Sequence, residues 1–442
     1  MVILGGGESG VGAAILGQIK GYEVFVSDGN VIGDLYKQEL NNYKISYEEG
    51  NHTESTILSA DLVIKSPGIA ESNQLIKKIR KEGITLVSEI ELAYMYKGVS
   101  RVIAITGSNG KSTTTALMFH ICETASLSCA MVGNIGISFA KQVALDPKEI
   151  YVVEVSSFQL DDIIQFRPDI AILTNITEDH LDRYDYKFEN YIKSKFRITE
   201  NQTSQDVFIY NLDDEIIKKY MTQFSIRSNP LPFTMNRSLP QGAYLMNSKI
   251  NMKWKLEEMT MSIADFAIRG KHNQYNTMAA CLGAMAMEIR NEFIRDALQT
   301  FTSLEHRMES VGTIRGVEFI NDSKATNVNS TWYALESMEQ PTILILGGVD
   351  KGNDYSSIKE LVKEKVKAII CMGVDNRKIH EAFGNEVELI VNTNNAKDAV
   401  QSAFHFANKG DAVLLSPACA SFDLFKNYED RGKQFKQAVK EL

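Results

Sequence analysis

The amino-acid sequence predicts an α/β protein of three consecutive domains, each built around a mainly parallel sheet. The chain has 442 residues, a length that suits two to four domains. Short hydrophobic strands alternate with loops and helices along the whole chain, which is typical of parallel sheets with crossover helices. This series of strands restarts twice, so we place the domains at residues 1–92, 93–303 and 304–442.

The composition excludes several classes of protein. Hydrophobic residues make up 44% and charged residues 23%, so each domain can bury a core, and the net charge of −9 argues against non-specific binding to nucleic acid. No apolar run approaches the roughly 20 residues that span a bilayer, and the N-terminus lacks the features of a signal peptide. Five cysteines without a CxxC pair indicate free thiols rather than disulfides or structural zinc. We therefore expect a cytoplasmic protein without nucleic-acid or membrane partners.

The first domain begins with the strand VILGG (2–6) and a glycine turn. Gly5, Gly7 and Gly10 form a GxGxxG motif, and Asp28 ends the next predicted strand. Backbone amides and a helix N-terminus at such a turn favour a diphosphate. The motif predicts a Rossmann-like domain, and by itself it fits NAD, a UDP group or an unliganded turn.

The second domain carries the loop GSNGKST (107–113) between the strand RVIAIT and a predicted helix. Lys111 is expected to reach the β and γ phosphates, and Ser112 to ligate Mg²⁺. Ile105 stands where the usual GxxxxGK[ST] spacing has glycine, which comes instead at Gly107. This loop predicts a P-loop mononucleotide-binding domain with a parallel sheet, whose phosphate-binding residues are Gly107, Ser108, Asn109, Gly110, Lys111, Ser112 and Thr113.

Two further strand ends of the second domain offer metal ligands. Glu154 ends the strand YVVEV, where a carboxylate suits Mg²⁺ or caps a helix. His180 stands among carboxylates in TNITEDHLDRY (174–184), for which we favour a metal role over a structural one. Lys193 and Lys195 lie on a predicted helix, and their pattern alone indicates a solvated basic face.

The motif GKHNQYN (270–276) places two asparagines three residues apart, on one face of a helix start, where they suit an adenine or ribose or cap the helix. The third domain, also Rossmann-like, carries charged and hydroxyl side chains after its strands. The lysine, threonine and serine donors among them suit a small amino acid with two carboxylates. The clusters after these strands contain Arg307, Asp322, Lys324, Thr326, Asp350, Lys351, Ser421, Phe422 and Lys426.

Together these motifs resemble the Mur ligase family. The matching stretches follow the family's order along nearly the whole chain, and NDSKATN and SPACASFD are the most specific of them. They are AITGSNGKST, GNIG, EVSSFQL, TNITEDHLDRY, SKFRI, GKHNQYN, LEHRME, NDSKATNV, LGGVDKG and SPACASFDLFKNYEDRG.

The resemblance implies a monomeric, ATP-dependent amide ligase of peptidoglycan precursor synthesis. It would add D-glutamate to UDP-N-acetylmuramoyl-L-alanine through an acyl phosphate, with two Mg²⁺ ions and a carbamate on Lys195. The implied catalytic residues are Lys111, Glu154, His180 and Lys195, and the last three with Ser112 would serve the metals.

The resemblance also assigns the substrate contacts. Besides the phosphate loop, ATP would bind Asn273, Asn276, Arg307 and Asp322. The UDP precursor would bind Gly7, Glu8, Ser9, Asp28, Ser66, Gly68, Asn134 and Ser156. D-Glutamate would bind Thr326, Lys351, Ser421 and Phe422. Two positions depart from the family pattern. Gly29 and Asn30 follow Asp28 where some relatives have Thr-Arg. In the motif GGVDKG, some relatives place the aspartate directly after the two glycines, where Val349 stands here.

Four alternatives stay open at this stage. A relative specific for another amino acid would share most motifs, although Lys351 and Ser421 favour glutamate. A folylpolyglutamate synthetase would not need the first glycine domain. A nicotinamide-dependent oxidoreductase accounts for nothing after residue 100, and a nucleotide switch without chemistry leaves the side chains of the third domain unexplained.

Overall fold

The structure is a computed structural model, and it describes residues 1–268, 270–302, 305–350 and 352–442. The chain forms two compact units, Met1–Ala267 with Asn273–Phe301, and Ile268–His272 with Thr302–Leu442. The boundary expected at residue 92 falls within a helix, and residue 303 lies outside the described residues, so both boundaries stay predictions.

The first unit begins with a five-stranded parallel sheet in the order β3-β2-β1-β4-β5. The hydrophobic stretch TLVSEIELAY (85–94) suggests one strand, but it is a strand only as far as Ser88 and continues as a helix. The strands are β1 (Val2–Leu4), β2 (Phe25–Asp28), β3 (Ser46–Glu49), β4 (Leu62–Lys65) and β5 (Thr85–Ser88). The helices are α1 (Glu8–Ile19), α2 (Asp34–Asn42), α3 (Glu54–Leu58), α4 (Gln74–Lys81) and α5 (Glu89–Tyr96).

A nine-stranded sheet follows in the same unit, in the order β14-β13-β12-β11-β10-β9-β6-β8-β7. Its strands are β6 (Arg101–Thr106), β7 (Cys129–Gly133), β8 (Ile150–Glu154), β9 (Ile170–Leu173), β10 (Val207–Asn211), β11 (Asn229–Thr234), β12 (Gly242–Met246), β13 (Lys249–Trp254) and β14 (Glu257–Ser262). Its helices are α6 (Lys111–Thr124), α7 (Phe139–Leu145), α8 (Ser157–Leu160), α9 (Phe188–Phe196), α10 (Glu215–Tyr220), α11 (Lys271–Ala286) and α12 (Asn291–Thr300). The first two residues of α11 belong to the second unit.

Burial distinguishes the two ends of this sheet. Every residue of β8 and β9 is buried, because helices cover both faces of the parallel part. The antiparallel strands β13 and β14 alternate buried and exposed residues, which is typical of a sheet with one solvated face. The phosphate loop therefore follows a strand of the buried, parallel part of the sheet.

One continuous hydrophobic cluster joins the two sheets of the first unit. It includes Ile3 and Val26 of the first sheet and Val102 and Val153 of the second. Helix α1 packs against α5 and α7, which carry this core across the connection between the sheets. The sheets can therefore share one core although each has its own strand series.

The second unit holds a six-stranded sheet in the order β15-β16-β20-β17-β18-β19, in which only the β15–β16 pair is antiparallel. The strands are β15 (Glu309–Ile314), β16 (Val317–Asn321), β17 (Thr342–Leu346), β18 (Val366–Met372), β19 (Ile390–Thr393) and β20 (Ala412–Leu415). The helices are α13 (Val328–Glu336), α14 (Lys359–Lys365), α15 (Arg377–Phe383), α16 (Ala396–Phe406) and α17 (Tyr428–Lys440).

Among the described residues, no helix combines the length and the apolar character needed to cross a membrane. All five cysteines are free, in agreement with the interpretation of the sequence.

Candidate active site

The phosphate loop lies at the carboxyl end of β6 and leads into α6. Gly107 and Gly110 have φ angles of +148° and +79°, which residues other than glycine rarely adopt. The Lys111 ammonium folds back over the loop and donates to the carbonyl oxygens of Gly107 at 2.7 Å and Ser108 at 2.8 Å. Both glycines are therefore needed for the shape of the loop.

The segment after β9 holds this loop in place. Thr174 Oγ1 and Asn175 Nδ2 donate to the Asn109 carbonyl at 2.6 and 2.9 Å, and the Asn109 amide donates to Asn175 Oδ1 at 2.9 Å. Ser108 Oγ donates to the carbonyl of Thr177 at 2.8 Å. Because β9 pairs directly with β6, the start of the TNITEDHLDRY motif and the phosphate loop form one hydrogen-bonded surface.

The two predicted asparagines meet on α11 beside this loop. Asn276 Nδ2 donates to Asn273 Oδ1 at 3.2 Å, and Thr114 Oγ1 of α6 donates to Asn276 Oδ1 at 3.3 Å. Ser112 is buried in the first turn of α6. The structure thus brings Asn276 to the phosphate loop, as a nucleotide contact would require.

Glu154 is the last residue of β8 and is 1% exposed. Its Oε1 accepts a hydrogen bond from Asn134 Nδ2 at 2.8 Å, while the Asn134 amide donates to the Glu154 carbonyl at 2.9 Å. Glu154 pairs in register with Ile105, so its carboxylate lies at the same sheet edge as Ser112. A carboxylate and a hydroxyl at that edge fit a hard cation such as Mg²⁺.

Lys195 is buried in the same region, at 2% exposure. Its ammonium donates to Thr106 Oγ1 at 3.2 Å and lies 5.1 Å from the ring centroid of Tyr191. Burial and the nearby charge of Lys111 hold the pKa of Lys195 well below its usual range. Lys193 is exposed, so the solvated basic face that the bare pattern indicated is wrong for Lys195.

His180 precedes a 3-10 turn, Leu181–Tyr184, and has a φ angle of +52°. Its ring packs edge-on against Phe158 of α8 with centroids 5.1 Å apart. His180 Nε2 lies 3.7 Å from Asp179 Oδ2, and the imidazole is 38% exposed. An imidazole at this position is accessible to a ligand at the edge of the central sheet.

A cavity of about 870 Å³ opens at the carboxyl ends of β1, β2 and β4. Helix α1 begins at its wall, where an N-terminus favours anions. It brings together six of the predicted precursor residues: Gly7, Glu8, Ser9, Asp28, Ser66 and Gly68. Of the described residues, Asn134 and Ser156 lie outside this lining, and Ser156 accepts the Gln159 amide as the N-cap of α8.

The glycine motif has a packing reason as well. Gly5 has a φ angle of +100°, and a Cβ on Gly10 would overlap the Gly5 carbonyl, so α1 can approach the turn only without a side chain there. Asp28 accepts the amides of Gly6 at 2.6 Å and Asn30 at 2.8 Å, which ties the turn to β2. These roles do not depend on which diphosphate the cavity binds.

His52 lines the same cavity and was missed by sequence reasoning. Ser27 Oγ donates to Glu48 at 2.6 Å and lies 2.7 Å from His52 Nδ1, which orients the imidazole. His52 is a single histidine in a loop and belongs to no recognisable motif, so the sequence offered no reason to assign it to the cavity.

In the second unit, Asp322 follows β16 and is 5% exposed. It accepts hydrogen bonds from Ser416 Oγ at 3.0 Å and the Met308 amide at 3.2 Å, and burial raises its pKa to about 7. Arg307 Nε is buried and has no hydrogen-bond partner among the described residues. A buried donor of that kind suits a ligand.

The residues predicted to bind the amino-acid substrate follow β16, β17 and β20, which are neighbouring strands of the second unit. Ser421 is 2% exposed, Phe422 is 71% exposed, and Thr326 is half-buried. The Val349 amide donates to the Ala420 carbonyl at 2.8 Å, which joins two of these loops. Lys351 lies outside the described residues.

Asp350 has a local role. Its carboxylate accepts from Lys378 Nζ at 2.7 Å, from the Gly352 amide at 2.7 Å and from the Asn353 amide at 3.0 Å. These contacts hold the pKa of Asp350 below its usual range, against the effect of its partial burial. The side chain therefore stabilises its own loop.

Arg431 of α17 joins two predicted loops and was not assigned a role from the sequence. It is 1% exposed and donates to Ser323 O at 2.8 Å, Ser323 Oγ at 3.0 Å and Cys419 O at 3.1 Å. Its spacing from the buried Phe435 and Ala438, at i+4 and i+7, places it on the core face of α17. This spacing is the feature of the sequence from which the burial of Arg431 could have been predicted.

Fold and site together define a nucleotide-binding α/β protein with a phosphate loop at the carboxyl end of β6 in its nine-stranded sheet. Three family models match the chain: the MurD N-terminal domain at residues 2–75, the Mur ligase middle domain at 105–284, and the Mur ligase glutamate ligase domain at 306–419. The chain belongs to the Mur ligase family, as its motifs predicted.

Full-length relatives agree with this assignment. The chain is 54% identical to the UDP-N-acetylmuramoylalanine–D-glutamate ligase of Christiangramia forsetii and 51% identical to that of Bacteroides fragilis, over 100% of this chain and 99% of each relative. Among solved structures, a pseudomurein peptide ligase type C from Methanothermus fervidus has a TM-score of 0.64 and 20% identity, with 100% of this chain and 99% of that one covered. The three-domain α/β fold predicted from the sequence is confirmed.

Proposed function

We propose that the protein joins D-glutamate to UDP-N-acetylmuramoyl-L-alanine in an ATP-dependent amide ligation. The observation that supports the proposal is that the first unit has two separate glycine turns, each leading into a helix N-terminus: one beside the cavity at α1 and one in the loop before α6. Two such turns suit a nucleotide-linked substrate together with ATP. The substrate is the one in the names of the full-length relatives.

The phosphate loop would hold the ATP phosphates through its backbone amides and the Lys111 ammonium. Lys111 now binds two loop carbonyls, which ATP oxygens would replace. Ser112, Glu154 and His180 would hold magnesium, which when bound offsets charge on the phosphoryl oxygens. We assign Asn273, Asn276, Arg307 and Asp322 to ATP as predictions from the motifs.

The reaction has two balanced steps. The precursor carboxylate oxygen attacks the γ-phosphorus, the bond to the bridging oxygen breaks, and ADP leaves. The neutral amine of D-glutamate then attacks the acyl carbon, inorganic phosphate leaves with the bonding pair, and the nitrogen releases a proton. A free carboxylate would expel an oxide, so phosphorylation supplies the leaving group.

Lys195 supports a further proposal, that it acts as a carbamate serving a second Mg²⁺. Its lowered pKa keeps a larger share of the amine neutral, and only a neutral amine adds to CO₂. The nitrogen would form a bond to the carbon of CO₂ and lose a proton to solvent. The product is an anion, which suits a site that also holds Lys111.

D-Glutamate would bind between hydroxyl donors and one lysine. We assign Ser421, Thr326 and amides near Phe422 to one carboxylate and Lys351 to the other. We also propose that the protein acts as a cytoplasmic monomer. The free cysteines support a reducing compartment, and light scattering would test the oligomeric state.

Phosphate release tests the function directly. UDP-N-acetylmuramoyl-L-alanine with ATP and Mg²⁺ should release phosphate when D-glutamate is added, and much less with L-glutamate, D-aspartate or L-alanine. Equal turnover with L-alanine would contradict the amino-acid assignment. Turnover of NADH by the same protein, followed by absorbance, would contradict the assignment of the first cavity.

A further inference from the structure

We propose that Arg183 is a positioning residue that couples the precursor loop, defined as residues 66–70, to the segment around His180 that follows β9 of the nine-stranded sheet. The inference rests on the proposed function in one respect, since it takes the cavity beside this loop as the UDP-precursor site. Arg183 belongs to the 3-10 turn Leu181–Tyr184, which directly follows His180.

The guanidinium of Arg183 binds three consecutive carbonyl oxygens of the precursor loop. Nη2 donates to the carbonyls of Pro67 and Ile69, both at 3.1 Å, and Nη1 donates to Gly68 at 3.3 Å. The guanidinium donates from two nitrogen atoms held in a fixed planar fork, whereas a lysine ammonium donates from a single nitrogen and does not reproduce that geometry. Arg183 therefore fixes the shape of the loop as well as its position.

The flat face of the guanidinium lies over an aromatic ring. Arg183 Cζ is 4.3 Å from the ring centroid of Phe158, which is a cation–π arrangement. The same ring meets His180 edge-on, with centroids 5.1 Å apart, and stacks with Tyr184. A displacement of the loop would thus move Arg183 against the ring that supports His180.

The precursor loop is also in direct contact with the glycine turn. The Ser66 amide donates to the Leu4 carbonyl at 3.0 Å, and a Cβ on Gly5 would lie 2.5 Å from Ser66 Oγ. Ser66 and Gly68 line the 870 Å³ cavity. A ligand in the cavity therefore touches the loop whose carbonyls Arg183 binds.

A second link fixes the start of the loop. Lys65 immediately precedes it and forms a buried ion pair with Asp162, with Nζ and Oδ2 2.8 Å apart and exposed side-chain fractions of 2% and 0%. This buried pair holds the end of β4 against the segment after α8. Arg183 is only half-buried, so it can respond to the loop while the Lys65–Asp162 pair stays in place.

Titration calorimetry and steady-state kinetics test the proposal on the full-length protein. Arg183→Ala should weaken UDP-precursor binding about tenfold, which corresponds to the loss of one charge-assisted contact. It should also lower kcat at saturating substrates and leave the KM for ATP within about twofold. In the wild-type protein, Mg·ADP bound near His180 should change the affinity for the precursor through Arg183, and Arg183→Ala should reduce that change. Arg183→Lys should recover little of the loss, and added guanidinium should restore part of it to Arg183→Ala.

Arg197→Ala is the matched control. Arg197 also donates from a guanidinium to backbone carbonyls, those of Asp161 and Ile163, but both acceptors belong to the central domain. This variant should lower the melting temperature and leave the coupling between precursor and Mg·ADP unchanged.

Two outcomes would overturn the inference. The first is an Arg183→Ala protein with wild-type kcat and wild-type coupling, and the second is equal loss of coupling in Arg197→Ala. Failure of the proposed function has a different signature, because the wild-type protein itself would then bind no UDP precursor.

Discussion

Asn276 of α11 packs directly against Gly110, the left-handed glycine at the start of α6. A Cβ on Gly110 would overlap Asn276 Oδ1, and the φ angle of +79° at Gly110 is unfavourable for any side chain. The two residues lie 166 positions apart in the chain, so this contact between the phosphate loop and α11 forms only when the protein folds.

The first prediction follows from this contact. Gly110→Ala should reduce kcat/KM for ATP by at least about a hundredfold, because the new methyl group must displace either the loop or Asn276. Gly98→Ala is a matched control, since Gly98 has a φ angle of +65° but nothing within 4 Å of the added Cβ. It should cost about 1–2 kcal/mol of stability through backbone strain alone and leave ATP kinetics unchanged. Normal ATP kinetics in Gly110→Ala would contradict the role of this contact.

The second prediction concerns the buried amine. Lys195→Ala should be nearly inactive, and a small carboxylate such as formate should partly restore turnover by supplying the missing anion. A carbamate signal should appear by ¹³C NMR after incubation of the wild-type protein with ¹³C-bicarbonate and be absent from Lys195→Ala. Lys193→Ala, exposed on the same helix, should retain both activity and the signal. Loss of the signal in Lys193→Ala instead would reassign the modified residue.

The third prediction concerns pH and stability. Glu89 is buried and accepts from Ser138 Oγ and the Ala140 amide, both at 2.6 Å, and burial raises its pKa to about 7. Between pH 4.5 and 7 the folded state keeps the proton that the unfolded state loses, so stability falls as the pH rises through this range.

The variant Glu89→Gln removes this titration and keeps the acceptor oxygen. Its stability relative to wild type should therefore improve from pH 5 to pH 8, by up to about 3 kcal/mol. Chemical denaturation at several pH values measures the difference, with the exposed Glu82→Gln as control. A constant difference across this range would show that Glu89 does not titrate there.

The fourth prediction concerns the amino acid. Lys351→Ala should raise the KM for D-glutamate far more than the KM for ATP, because a carboxylate would lose its charged partner. A charge-assisted contact of about 1.5–3 kcal/mol corresponds to roughly 10- to 150-fold. Lys363→Ala, an exposed lysine on α14, provides the control for loss of charge. If both KM values rose together, Lys351 would act on the fold rather than on D-glutamate.

Much of the fold could be predicted from local pattern. Hydrophobic runs such as VILGG and YVVEV became buried parallel strands, and GSNGKST became a turn before a helix, because these signals depend on neighbours in the chain. The strands β3, β7, β15 and β19 were not predicted, and all four lie at the edges of their sheets. The residues of β3, β15 and β19 are mostly half-buried or exposed and lack a clear apolar run.

The sequence by itself determined the family and the strand–loop–helix order, and it predicted most of the candidate site residues. Only the tertiary structure decided which of two lysines on one helix is buried, that Asp350 serves its own loop, and that Arg431 and Arg183 each join separate loops. The physical reason is that burial and hydrogen bonding depend on segments far apart in the chain. A side chain's own neighbours in sequence do not reveal whether it faces water, a carbonyl or another charge.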